Sequence, residues 1–96
     1  MNTIIFTSDF FPDGNHHEPY FEIRENKVFT TIYHPMGYVG VPWYEIHGNM
    51  IYTTEHHPHG IQPEPWYEIR ENNVYATDDH PKGWMSNPLY EIKKAP

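Results

Sequence analysis

Pro65-Trp66-Tyr67-Glu68-Ile69-Arg70-Glu71-Asn72-Asn73-Val74-Tyr75-Ala76-Thr77 reads as two short strands about a polar break. Aromatic and β-branched residues fill both runs, and Glu71-Asn72 stands between them, which is the pattern of a β-hairpin. Asn tolerates the positive φ that tight hairpin turns need. A two-residue turn and a three-residue turn with a bulge both fit, so the cross-strand register stays open. The same stretch occurs elsewhere in the chain. Pro19, Pro42, Pro65 and Pro88 stand 23 residues apart. They are followed by Tyr20-Phe21-Glu22-Ile23, Trp43-Tyr44-Glu45-Ile46, Trp66-Tyr67-Glu68-Ile69 and Leu89-Tyr90-Glu91-Ile92. The equivalent turn tips are Glu25-Asn26 and Gly48-Asn49. A repeat of this length decides the architecture before any single residue does.

Outward from each hairpin lies a loop: Phe11-Pro12-Asp13-Gly14, His34-Pro35-Met36-Gly37, His57-Pro58-His59-Gly60 and His80-Pro81-Lys82-Gly83. Pro fixes φ and Gly allows positive φ, so Pro-x-Gly is turn chemistry. No stretch has a 3.6-residue apolar period, and ten prolines leave little room for helix. At the ends, residues 2 to 8 match a second strand, with Ile5 aligned to Val28, Ile51 and Val74. Residues 88 to 93 match a first strand with nothing after it. Pairing the two ends makes a fourth hairpin and removes exposed edges. The expectation is an all-β domain over residues 1–96: a closed pseudo-fourfold ring or short barrel of four antiparallel hairpins. Its units are about 19–41, 42–64, 65–87, and 88–96 joined with 1–18.

Four Pro-aromatic-aromatic-Glu-Ile hairpins closed into a ring resemble the bacterial domain called the 4-fold beta flower, over nearly the whole chain. The resemblance implies a fold and brings no activity, substrate or catalytic residue with it. MORN repeats share the period and a Tyr-Glu start, but their recurrent glycines are missing here. Choline-binding repeats share Trp-Tyr pairs without the His-Pro-x-Gly loop.

A chain of 96 residues has a limited core, and without cysteine it has neither disulfides nor thiol chemistry. Its 8 Tyr, 5 Phe and 3 Trp are expected to supply the burial instead. Net charge is −7 and no Lys/Arg run exists, which argues against nucleic acid and anionic membranes as partners. The start, Met1-Asn2-Thr3-Ile4-Ile5-Phe6, lacks the basic region and apolar length of a signal peptide, so a cytoplasmic location is expected.

Three residue sets are candidate sites. His34, His57 and His80 share one slot, with Phe11 in the fourth unit. Facing the axis, three imidazoles with an open position would suit zinc, or Ni, Cu or Fe. His56 and His59 are further candidate ligands, with Glu55, Asp78 and Asp79 beside them. The alternative is that each slot histidine orders its turn through a backbone hydrogen bond. Histidine-rich loops are also expected to change charge near pH 6 to 7. Glu22, Glu45, Glu68 and Glu91 fill the second set. Four converging carboxylates could hold calcium but would repel one another. Arg24, Arg70 and Lys93, with His47 in the remaining unit, follow two residues on and therefore share a strand face. A structural pairing role is the better reading. The third set is aromatic. The slot of Tyr20, Trp43, Trp66 and Leu89 alternates with that of Phe21, Tyr44, Tyr67 and Tyr90, so at least one faces the core. Tyr38, Ile61 and Trp84 lie in the loops and suit a ligand or partner surface.

No Ser-His-Asp order, glycine-rich phosphate loop or nucleophilic cysteine is present, so the chain carries no catalytic signature. The leading reading is a non-enzymatic module that binds a small ligand or a protein through loop aromatics and histidines. A metal-binding protein centred on the histidine slot, and a structural unit assembling as a homo-oligomer, are the alternatives.

Overall fold

Short runs of alternating residues, interrupted every few positions by turn chemistry, fold into eight short strands. A computed structural model describes residues 3–12, 14 and 16–94. Its strands are β1 (Thr3–Thr7), β2 (Pro19–Arg24), β3 (Lys27–Thr30), β4 (Tyr44–His47), β5 (Met50–Thr53), β6 (Tyr67–Arg70), β7 (Asn73–Ala76) and β8 (Tyr90–Lys94). Each pairs antiparallel with its sequence neighbour, and β8 returns to β1, so the sheet is a closed barrel. Among the described residues there is no helix.

The turn residues set the register. Arg24↔Lys27, His47↔Met50 and Arg70↔Asn73 are the last pairs of their hairpins, so each turn has two residues. Glu25 and Asn26 have φ of 50° and 67°, and Glu71 and Asn72 repeat those values. Positive φ at both positions matches the right-handed twist of the flanking strands. At the middle turn Gly48 takes φ 64° without the steric penalty of a Cβ. The turns also serve the next hairpin. The carbonyls of Asn26, Asn49 and Asn72 accept the N–H of Ile46, Ile69 and Ile92, each at 2.7 Å.

Between hairpins the ladder is shorter. Only Lys27↔Glu45 and Val28↔Tyr44 join β3 to β4, and the β5/β6 and β7/β8 joints are the same length. The terminal strands pair over five positions, from Thr3↔Lys94 to Thr7↔Tyr90, with Ile5 opposite Ile92. Residues 3–7 and 90–94 therefore pair as the two antiparallel strands that close the barrel. Between Ile5 and Phe6 the β1/β2 register shifts, from Ile5↔Phe21 to Phe6↔Pro19, which leaves Tyr20 as the extra residue on β2.

Ile5, Val28, Ile51 and Val74 point inward beside Phe21, Tyr44, Tyr67 and Tyr90. The space left at the axis is about 10 Å³, at the lower limit for a single water. The barrel is thus a packed core and not a channel. The slot of Tyr20, Trp43, Trp66 and Leu89 is buried as well, because the loops fold over its side of the strand ends. Both aromatic slots are core.

Closure makes a direct prediction. Deleting residues 88–96 removes β8 and leaves β1 and β7 as open edges. The truncated chain should lose its cooperative thermal transition and its near-UV circular dichroism. A melt like that of the full chain would show that the seam is dispensable.

Candidate functional site

The loops that follow β1, β3, β5 and β7 are built alike, starting from a hydroxyl. Ser8, Thr54 and Thr77 donate Oγ–H to the carbonyls of Pro88, Pro42 and Pro65 at 2.6, 2.5 and 2.6 Å. Thr31 does the same to Pro19. Each Oγ also accepts the N–H two residues on, from Phe10, Tyr33, His56 and Asp79. This ties the loop's start to the opening proline of a hairpin. Two turns follow in succession. The N–H of His34, His57 and His80 reaches the carbonyl three residues back, and the N–H of Gly37, Gly60 and Gly83 reaches the histidine carbonyl at 2.8 Å. The glycines close the second turn at φ 73–80°.

These ties hold each imidazole in one orientation. Nδ1 of His34, His57 and His80 accepts the backbone N–H of Met36, His59 and Lys82, all at 3.1 Å. An accepting Nδ1 carries no proton, so in the neutral ring the hydrogen sits on Nε2. Nε2 of His57 lies 3.1 Å from the Tyr44 hydroxyl, and Nε2 of His80 lies 3.1 Å from that of Tyr67. Both rings therefore donate inward, to the top of the barrel core. His34 packs on Phe21, which offers no hydroxyl, with 5.1 Å between centroids.

The tyrosines form the floor. Phe21, Tyr44, Tyr67 and Tyr90 close a ring about the axis, with centroids 5.7–5.9 Å apart and planes near perpendicular. Such edge-to-face pairs contribute roughly 0.5–1.5 kcal/mol each beyond their buried area. The hydroxyl of Tyr67 hydrogen-bonds to those of Tyr44 and Tyr90 as well as to His80. Burial pushes the Tyr67 hydroxyl up to about 12, and raises Tyr44 well above its ordinary value. Burial also lowers the slot histidines. His57 falls to about 4, with help from neighbouring His59, and His34 and His80 are lowered too, the latter aided by Lys82. His57 thus titrates below the pH 6 to 7 expected from composition, and His34 and His80 shift in the same direction.

Above this floor is a pit of about 290 Å³ at the loop end of the barrel. Its walls are Phe11, Trp66, Met85 and Leu89, and His59 and Lys82 stand among the lining residues. No Asp or Glu lines it among the described residues. A larger groove, about 720 Å³, lies on the barrel's outer face between Lys27, Glu45, His47, Tyr52 and Ile61. The groups with shifted protonation belong to the pit's end of the molecule, apart from Glu45, which makes the pit the first candidate.

The other sequence-derived residues fall as follows. Neighbouring slot imidazoles are separated by an indole: His34, Trp43, His57, Trp66 and His80 follow one another with centroids 5.0–5.6 Å apart. Among the described residues no three His, Asp or Glu side chains lie close enough to hold a metal ion. His59 stacks beside His57, whereas His56 is on the outer groove. The glutamates do not converge. Glu22, Glu68 and Glu91 meet Arg24, Arg70 and Lys93 at 3.5–3.7 Å, and Glu45 meets Lys27 and His47 at 3.0 and 2.7 Å. Tyr38, Ile61 and Trp84 are exposed on their loops. Asp13, in the fourth loop, lies outside the described residues. The Ser/Thr slot at 8, 31, 54 and 77 is the structural position that the sequence reading missed, although it keeps the 23-residue spacing.

Comparison with protein families, curated proteins and solved structures finds no match to this chain.

The histidine geometry fixes the sign of an acid effect. A proton on His57 must enter at Nδ1, against the N–H of His59. With a folded pKa of about 4 against an ordinary 6.5, the unfolded chain binds more protons between those values. Stability is therefore full above pH 6.5, falls as pH drops below it, and levels off below about 4. His57→Phe, which copies Phe11, should fold but be less stable at neutral pH by roughly 1–2 kcal/mol through the lost hydrogen bond. Its acid loss should be smaller than wild type by roughly 2–3 kcal/mol. Chemical denaturation at pH 7 and pH 4 measures both, and equal acid losses would refute the assignment.

Proposed function

We propose that this protein is a non-catalytic binding module. In this reading four hairpins repeat about a pseudo-fourfold axis, as in the 4-fold beta flower, and a pit opens at one end among the loops after β5, β7 and β1. The ligand is a small anion with a flat apolar body, such as an aromatic carboxylate. The observation that carries this is the lining of the pit: apolar walls, a Lys82 ammonium and no described carboxylate, in a chain of net charge −7. A volume near 290 Å³ stands at the lower end of small-molecule sites. The floor adds polar groups that burial holds neutral at pH 7, so an anion meets no fixed negative charge there. Trp66 and Phe11 supply faces for stacking, and Lys82 supplies a charge-assisted hydrogen bond.

Titration with naphthoate, followed by NMR at the Trp66 indole N–H, tests the reading. Naphthoate should shift that resonance saturably, and naphthylmethylammonium, of the same shape and opposite charge, should not. Lys82→Met should weaken naphthoate about tenfold, in line with the loss of one charge-assisted contact. No shift at millimolar naphthoate, or equal response to both probes, would overturn the proposal.

A further inference from the structure

On the outer face of the barrel the repeat supplies its own comparison for the 720 Å³ groove. Each glutamate of the repeated slot pairs directly across the ladder with an aromatic residue: Glu22 with Phe29, Glu68 with Tyr75, Glu91 with Phe6 and Glu45 with Tyr52. In three of the four pairs a cation two residues on completes the group. The Arg24 guanidinium lies 4.0 Å over the Phe29 ring and pairs with Glu22 at 3.5 Å. Arg70 lies 3.9 Å over Tyr75 and pairs with Glu68 at 3.6 Å. The Lys93 ammonium is 5.6 Å from the Phe6 ring and 3.7 Å from Glu91. Carboxylate, aromatic face and cation recur together, each favouring the others.

The fourth group has no such cation. His47 replaces Arg, and its ring meets Tyr52 at 79° with centroids 5.4 Å apart. It reaches Glu45 Oε1 at 2.7 Å, while Lys27 reaches Oε2 at 3.0 Å from β3. These two partners hold the Glu45 carboxyl below its ordinary value, so it is ionised at neutral pH. The groove opens here, lined by Lys27, Glu45, His47, Tyr52, Glu55 and Ile61 among others. Two carboxylates, Glu45 and Glu55, stand in the lining against the single ammonium of Lys27.

We infer that this groove binds the arginine side chain of a peptide segment, whose guanidinium displaces the His47 imidazole from Glu45 and Tyr52 and takes the position that Arg24 and Arg70 fill in their own units. The ligand's methylenes would lie along Pro42 and the exposed Ile61, which the groove brings together. Its volume exceeds one side chain, which leaves room for residues flanking the arginine. The site is separate from the pit at the loop end, and neither proposal depends on the other.

The test uses the full chain and a blocked Gly-Arg-Gly peptide, with blocked Gly-Nle-Gly, blocked Gly-Glu-Gly and guanidinium chloride as comparisons. NMR resonances of Tyr52 and Ile61 should move saturably with the arginine peptide and weakly with guanidinium. The norleucine peptide should leave them unmoved. Glu45→Gln should weaken the arginine peptide about tenfold. His47→Arg should rebuild the internal group and abolish binding, while keeping the melting temperature within a few degrees. If H47R melts early, H47K, which copies Lys93, takes its place. A preference for the glutamate peptide would assign the groove to anions through Lys27 and overturn the inference. So would no shift at millimolar arginine peptide, or unchanged binding in a folded H47R or H47K.

Discussion

Three tyrosine hydroxyls brought to the axis of a closed barrel have to be hydrogen-bonded there, and most of the loop architecture follows from that requirement. A buried hydroxyl left without a partner costs about 1–3 kcal/mol, a large share of the stability of a small domain. The space at the axis is about 10 Å³, so protein groups supply the partners. Tyr67 joins Tyr44 to Tyr90, His80 reaches Tyr67, and His57 reaches Tyr44. For those imidazoles to donate inward their other nitrogen must accept, and the backbone N–H two residues on is placed to serve it. The His-Pro-x-Gly turn is therefore the outer half of a network whose inner half is the core. Among the described residues no buried side-chain polar atom lacks a partner.

The strand skeleton was legible in the sequence because it depends on local rules. Turn residues bracket each hairpin, and the 23-residue spacing exposes the unmatched halves at the ends. The all-β class, the closure and the pairing of residues 3–7 with 90–94 all come from that alignment. The histidine–tyrosine pairs were not legible. His57 and Tyr44 are thirteen residues apart and belong to different slots, so no periodicity connects them. Their meeting depends on how the loop folds back over the strand end. The same fold-back buries Trp43 and Trp66. Alternation correctly put them opposite Tyr44 and Tyr67, but could not say that the opposite side is also covered. The open choice over turn length was settled by twist, since positive φ at Glu25-Asn26 and Glu71-Asn72 gives the two-residue form.

Departures from repetition have different physical weights. Ala76 stands where Thr7, Thr30 and Thr53 accept an N–H from the loop, and it has no hydroxyl with which to do so. Phe11 in place of histidine packs against Tyr20 and Tyr90, keeping the belt continuous by apolar contact. These changes alter how a slot is filled without opening space. His47 in place of Arg is different, because a shorter side chain stands where a guanidinium covered an aromatic ring in two other units. The loop after β3 departs in another way. Its Ile32, Tyr33, Met36, Tyr38 and Val39 are all exposed, whereas Glu55, His56, His59 and Gln62 stand at four of the matching positions in the loop after β5.

The loop design separates what holds the backbone from what can vary. Conformation is set by the Ser/Thr hydroxyl, the histidine Nδ1 and the glycine, and each of these acts on backbone groups. The residue after the proline contributes only its N–H to this scheme. Its side chain is Met36, His59 or Lys82 in three units, yet the hydrogen bond to Nδ1 is 3.1 Å in every one. A side chain at this position can therefore change from apolar to cationic without disturbing the turn that carries it. Two of the three, His59 and Lys82, line the pit. The charge at the rim of the pit is thus set at positions on which the fold makes no demand beyond an N–H, while the floor beneath them is fixed by the core.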